Sequence, residues 1–181
     1  MKPVLLSGLL LLLATDALAH RLDEYLQATR ISVATNRIDL SIDLTPGVAV
    51  ADQVLICIDR NRDGHVSDEE VTAYAQRVLK DLRIALDEKI LTLSLVDTSF
   101  PALHEIKAGL GVIRIKASAP VGPLTASKYT LSLTNVHLPT ISVYSVNALV
   151  PKDTAIKITR QTRDELQKNY RLDFRVIPSP P

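Results

Sequence analysis

The chain has 181 residues, room for one ordinary domain with a real core. Lys and Arg (21) nearly cancel Asp and Glu (20), leaving a net charge of +1 with no basic run, which excludes a nucleic-acid footprint. A 46% hydrophobic, 23% charged composition excludes a disordered chain, and the single cysteine, Cys57, excludes an intrachain disulfide or a four-cysteine metal site.

The first residues read as an export signal. Lys2 supplies a short positive region, Val4 to Ala14 an apolar run, and Ala17-Leu18-Ala19 the small-x-small pattern of a signal-peptidase site. Residues 1–19 are therefore expected to be a signal peptide, and residues 20–181 the exported, β-rich domain beginning at His20. The apolar run is too short to span a bilayer as a helix. Export implies a periplasmic or secreted location, where an unpaired Cys57 is best tolerated as a packed small hydrophobe.

Period-two alternation dominates the chain beyond His20. Ile38, Leu40, Ile42 and Leu44 alternate with Asp39, Ser41 and Asp43, and Ile31 and Val33 precede them across Thr35-Asn36-Arg37, so residues 27–44 read as a hairpin. A second hairpin is expected to join Arg83 to Leu86 with the Leu91, Leu93, Leu95 face through Asp87-Glu88-Lys89. Further strands are expected over 112–117, 129–136, 141–149, 155–159 and 172–176, punctuated by Pro101, Pro120, Pro139 and Pro151. Gly109 and Gly111 read as a bend entering the Val112 strand. Residues 162–170 are expected to form one or two helical turns, capped by Thr162 with Glu165 three residues on. The fold class expected is α+β, mainly an antiparallel β-sandwich.

Residues 47–84 break the rhythm. Ala51, Val54, Leu55 and Ile58 follow helical spacing, and Val71, Tyr74, Ala75, Val78, Leu79 and Leu82 resume it, so two amphipathic helices flank the segment Asp59 to Glu70. Calcium wants six to eight oxygens, and a twelve-residue loop between helices delivers them from fixed positions. Asp59, Asn61 and Asp63 stand at positions 1, 3 and 5, with Gly64 at position 6, where the backbone turns sharply. His65 offers its carbonyl at position 7, Val66 an apolar contact at position 8, Ser67 a water-mediated oxygen at position 9, and Glu70 two carboxylate oxygens at position 12.

These residues resemble the EF-hand superfamily, which implies a helix-loop-helix insertion at 47–84 with Asp59, Asn61, Asp63, His65, Ser67 and Glu70 as metal ligands and calcium as the cofactor. Asn61 replaces a carboxylate, and Arg60 and Arg62 add positive charge nearby. The expected affinity is therefore that of extracellular modules, about 10⁻⁴ to 10⁻³ M or slightly tighter. The rest of the chain holds no second loop of this pattern. Either the sheets cover the apolar helix faces or two molecules pair through Val66, and the first costs no association entropy. Beyond Met1 the chain has no methionine, so a target-grasping groove of the sensor kind is not expected; a structural or buffering site is.

A broader similarity rests on His20 to Gln27, His137-Leu138-Pro139 and Asn147 to Pro151. These resemble the extracytoplasmic region of bacterial membrane proteins of the hydrogenase/urease accessory, nickel-permease-like, family. That resemblance implies a periplasmic module with a membrane-protein partner, and it raises an alternative: copper or nickel held by the amino group and imidazole of His20, with His104 or His137 adding a nitrogen. No catalytic motif stands out. No nucleophile elbow surrounds a serine, no HExxH helix is present, and Gly109-Leu110-Gly111 lacks the third glycine of a dinucleotide loop.

Overall fold

A computed structural model describes residues 23–177. Residues 1–22, which include the expected signal peptide and His20, and the last four residues lie outside them. The chain is β-rich: nearly half of the described residues form two five-stranded, largely antiparallel sheets, and few are helical. The first sheet runs β5-β6-β2-β1-β8, with β1 at Tyr25–Val33, β2 at Arg37–Pro46, β5 at Ser94–Ser99, β6 at Ile113–Pro120 and β8 at Ser142–Ala148. The second runs β4-β3-β7-β10-β9, with β3 at Leu82–Leu86, β4 at Lys89–Ile90, β7 at Lys128–Asn135, β9 at Ile156–Arg163 and β10 at Asn169–Val176. Among the described residues the helices are α1 (Ala51–Ile58), α2 (Asp68–Lys80) and α3 (Leu103–Lys107).

The alternating residues of the first hairpin do what their pattern requires. β1 pairs with β2 in register from Tyr25↔Pro46 to Val33↔Ile38, and Ile38, Leu40, Ile42 and Leu44 all point into the core. Both sheets and both long helices contribute to a single buried cluster, in which Ala51, Val54, Leu55, Ile58, Tyr74, Ala75, Val78 and Leu79 form the helix stripes. Leu82 also enters the core, but from β3, because α2 stops at Lys80. One pairing departs from the antiparallel rule: β1 runs parallel to β8, from Tyr25↔Ser142 to Ile31↔Ala148.

Two local expectations need correction. Residues 162–170 are not helical. Thr162 and Arg163 end β9, and Asp164 accepts the Asn169 N–H at 3.1 Å in the turn that leads into β10. An isolated helix of that length gains little by itself, whereas pairing β9 with β10 satisfies its backbone groups across the sheet. The second hairpin is only two residue pairs deep, Ala85↔Ile90 and Leu86↔Lys89, around Asp87 and Glu88, both with positive φ as such a tight turn demands. Past Ile90 the chain crosses to the other sheet, where β5 pairs with β6; Leu91, Leu93 and Leu95 keep their inward alternation across that change.

Ahead of the two glycines that lead into β6 lies α3, a short helix with no expectation behind it. Gly109 closes it at φ +70, and Gly111 sits so close to it that an added Cβ would meet the Ile106 nitrogen at 2.8 Å and the Pro101 Cγ at 2.9 Å. Backbone cannot move aside as a side-chain tip can. We expect Gly111→Ala to cost about 1 to 3 kcal/mol in urea unfolding, whereas an unchanged midpoint would show that the segment is loosely held.

Candidate metal loop and the polar core behind it

Ser67 begins α2 with a reciprocal cap: its hydroxyl accepts the Glu70 N–H at 3.3 Å, and Glu70 Oε2 accepts the Ser67 N–H at 3.0 Å. The other Glu70 oxygen reaches back across the loop to the Arg60 N–H at 2.9 Å. Glu70 therefore ties the beginning of the loop to its end, and these N–H groups, that of Ser67 foremost, hold its carboxyl below the usual range.

The remaining side chains are drawn in by other backbone N–H groups of the loop. Asp59 Oδ2 accepts the Gly64 N–H at 3.0 Å, Asn61 Oδ1 accepts the Asp63 N–H at 3.0 Å, and Asp63 Oδ1 accepts the His65 N–H at 2.8 Å. Left-handed backbone at Arg62 (φ 59) and Gly64 (φ 79) makes these turns possible. One atom has no partner. Asp59 Oδ1 is buried without a hydrogen bond, an uncompensated anionic oxygen at the loop's first position. That is the observation a cation would answer, and oxygen donors at 59, 61, 63 and 70 are the hard ligands calcium takes. Among the described residues, however, no three acidic, His or Cys side chains converge closely enough to form a metal cluster, because the carboxylates are spread over the loop's N–H groups.

His65 and Ser67 lie in the loop at their expected positions, His65 with its ring exposed. Val66 is half-buried against the chain's own core and shares a groove with Val71, Phe100 and Leu103. Cys57 is half-buried on α1, packed against the same core. His104 is exposed on α3, and His20 lies outside the described residues.

His137 is the residue whose surroundings the sequence did not disclose. It is fully buried, with Nδ1 2.7 Å from Asp81 Oδ2 and Nε2 3.0 Å from the Tyr74 hydroxyl, which is 2.7 Å from that of Tyr25. An ionised Asp81 can only accept, so Nδ1 carries the proton, Tyr74 donates to Nε2, and Tyr25 donates to Tyr74. The His137 carbonyl accepts from Gln27 Nε2 and the Tyr144 hydroxyl, both at 2.9 Å, and its N–H donates to Asn135 Oδ1. The chain of bonds joins the end of α2 to strands of both sheets. With both ring nitrogens engaged, His137 offers no free donor to a metal. The signal that could have found this cluster is Tyr25, Gln27 and Thr29, polar or amphipathic side chains on the inward face of an otherwise apolar alternation.

Burial pushes the His137 imidazole below its usual pKa, against the pull of Asp81 and with Arg77 adding repulsion. Unfolded, the ring takes its proton near pH 6.5; folded, it does so only at lower pH. Between those two values the unfolded chain binds more protons, so stability is full above about pH 6.5 and falls as acid is added. The depressed carboxyls of Glu70, Asp97 and Asp164, held low by Ser67, Lys116 and Asn169, add a further loss of stability only as pH falls through the ordinary carboxylate range and below. We expect the melting temperature to decline as pH falls below about 6.5 and the decline to flatten in His137→Gln; equal slopes would assign the effect elsewhere.

No protein-family model matches this sequence, and a search of the curated proteins finds no match. No described helix is long and apolar enough to cross a membrane.

Proposed function

We propose that this chain is an exported calcium-binding protein whose single EF-hand, Asp59 to Glu70 between α1 and α2, is inserted into a β-sandwich, with calcium structural or buffering. The observation that carries the reading is the unpartnered buried Oδ1 of Asp59, in a loop that already has oxygen side chains at 61, 63 and 70 and left-handed backbone at Gly64. Asp59, Asn61, Asp63 and Glu70 supply side-chain oxygens, His65 its carbonyl, and Ser67 an oxygen reached through water. Calcium would neutralise the three carboxylates and draw them together, fixing α1 against α2. Val66 packed on the chain's own core favours the sheets, rather than a second molecule, as the cover for the helix faces. The periplasm or the extracellular space supplies calcium at about millimolar, close enough to the expected affinity for the site to be largely filled. Calorimetric titration of metal-free protein tests this: one calcium per chain is expected, with magnesium far weaker. Heat from copper or nickel but none from calcium would overturn it.

A further inference from the structure

The same two helices border a second feature that calcium coordination leaves unused. A cleft of about 570 Å³ opens between them, with Ile56, Cys57, Ala73 and Tyr74 as its apolar wall and Arg60, Arg62 and Arg77 as its charged one. Among the described residues no carboxylate lines it. Elsewhere on the surface Arg30, Arg37 and Arg171 each meet an aspartate at 2.9 to 3.0 Å. Among the described residues no side chain pairs with the guanidinium of Arg60, Arg62 or Arg77, although all three are gathered on one cleft and repel one another. Ile56, 60% exposed at the same place, leaves apolar surface open beside that charge.

Such a wall selects its ligand by donor count and charge. Each guanidinium presents five N–H donors in a planar fork, more than the two oxygens of a single carboxylate can accept from three arginines. A phosphate monoester has three terminal oxygens and nearly two negative charges at neutral pH, and arginine forks bind it bidentately. The volume suits a small ligand, and the apolar wall suits a hydrocarbon substituent on the ester. We propose that this cleft binds a phosphate monoester bearing an apolar group, either a soluble ester or a phosphatidate headgroup at a membrane surface. The site draws on both helices and on Arg60 and Arg62 of the loop between them, and its test is run without calcium, so that its failure and that of the calcium reading stay distinguishable.

The test is calorimetric titration of the purified protein with phenyl phosphate, in buffer freed of metals on a chelating resin and containing no competing anion. Saturable binding at one site is expected, with none for benzyl alcohol. Arg77→Gln and the double variant Arg60→Gln/Arg62→Gln should each weaken it by about tenfold or more, the loss of a charge-assisted pair. Arg114→Gln, which removes an exposed charge on β6, should change it less than about twofold. Flotation with phosphatidate or phosphatidylcholine vesicles separates the two sources. Retention on phosphatidate alone, displaced by phenyl phosphate, identifies a lipid headgroup; phenyl phosphate binding without retention identifies a soluble ester. Absence of phenyl phosphate binding, or equal weakening by Arg114→Gln and Arg77→Gln, would overturn the proposal.

Discussion

Calcium at about 10 mM should raise the melting temperature of the metal-free protein by roughly 5 to 10 °C, from about 2.7 kcal/mol of linkage at a hundred times a Kd near 0.1 mM. Two variants separate the ion from the loop that holds it. Glu70→Gln keeps a side chain able to complete the cap with Ser67, yet loses the charge and the bidentate grip. Asp59→Asn keeps an oxygen for the Gly64 N–H but removes the charge from the atom that stands unpartnered. Both should melt close to the parent without calcium and lose most of its effect. Asp59→Ala, which also abandons the Gly64 bond, should lose it entirely. Equal calcium-induced shifts in parent and variants would move the ion away from this loop.

The largest stability losses should come from the polar core. His137→Ala empties a fully buried site and strands the Tyr74 hydroxyl and Asp81 together, an expected loss of about 4 kcal/mol. Tyr74→Phe leaves His137 Nε2 without a donor and the Tyr25 hydroxyl without an acceptor, about 2 kcal/mol. Tyr25→Phe removes only the terminal donor, about 1 kcal/mol. The order, measured by urea unfolding, follows from the direction in which the protons point. If Tyr25→Phe were as damaging as Tyr74→Phe, that direction would be wrong.

Local pattern and long-range contact divide what the sequence discloses. The alternation at Ile38 to Leu44 and the helical stripe at Ala51 to Ile58 can be read because each residue's burial follows from its neighbours' spacing. The proposed calcium loop is legible for the same reason: the positions it assigns to ligands lie within a dozen consecutive residues. Nothing local marks β8 as the parallel neighbour of β1, or sends β5 to the opposite sheet from β3. At 162–170 the local cue pointed to a helix cap, and the Asp164 turn with β10 pairing prevailed. The polar core lay furthest out of reach, since Asp81 and His137 are 56 residues apart and Tyr25 and Tyr74 are 49 apart. Adjacent in the fold, these pairs leave no spacing signature, and only the polar residues on the buried face of β1 hint at them.

The Gly64 amide is the most direct reporter of calcium, because its N–H is bonded to the carboxylate at the loop's first position. Its ¹H–¹⁵N resonance, recorded during calcium addition to metal-free protein, should move further than those of the sheet residues. It should follow a single-site curve that saturates once free calcium is well above a Kd of about 0.1 mM, together with the amides of Asp63, His65 and Glu70. Unmoved resonances throughout residues 59–70 at about 10 mM calcium, a hundredfold above the expected Kd, would contradict calcium binding in this loop.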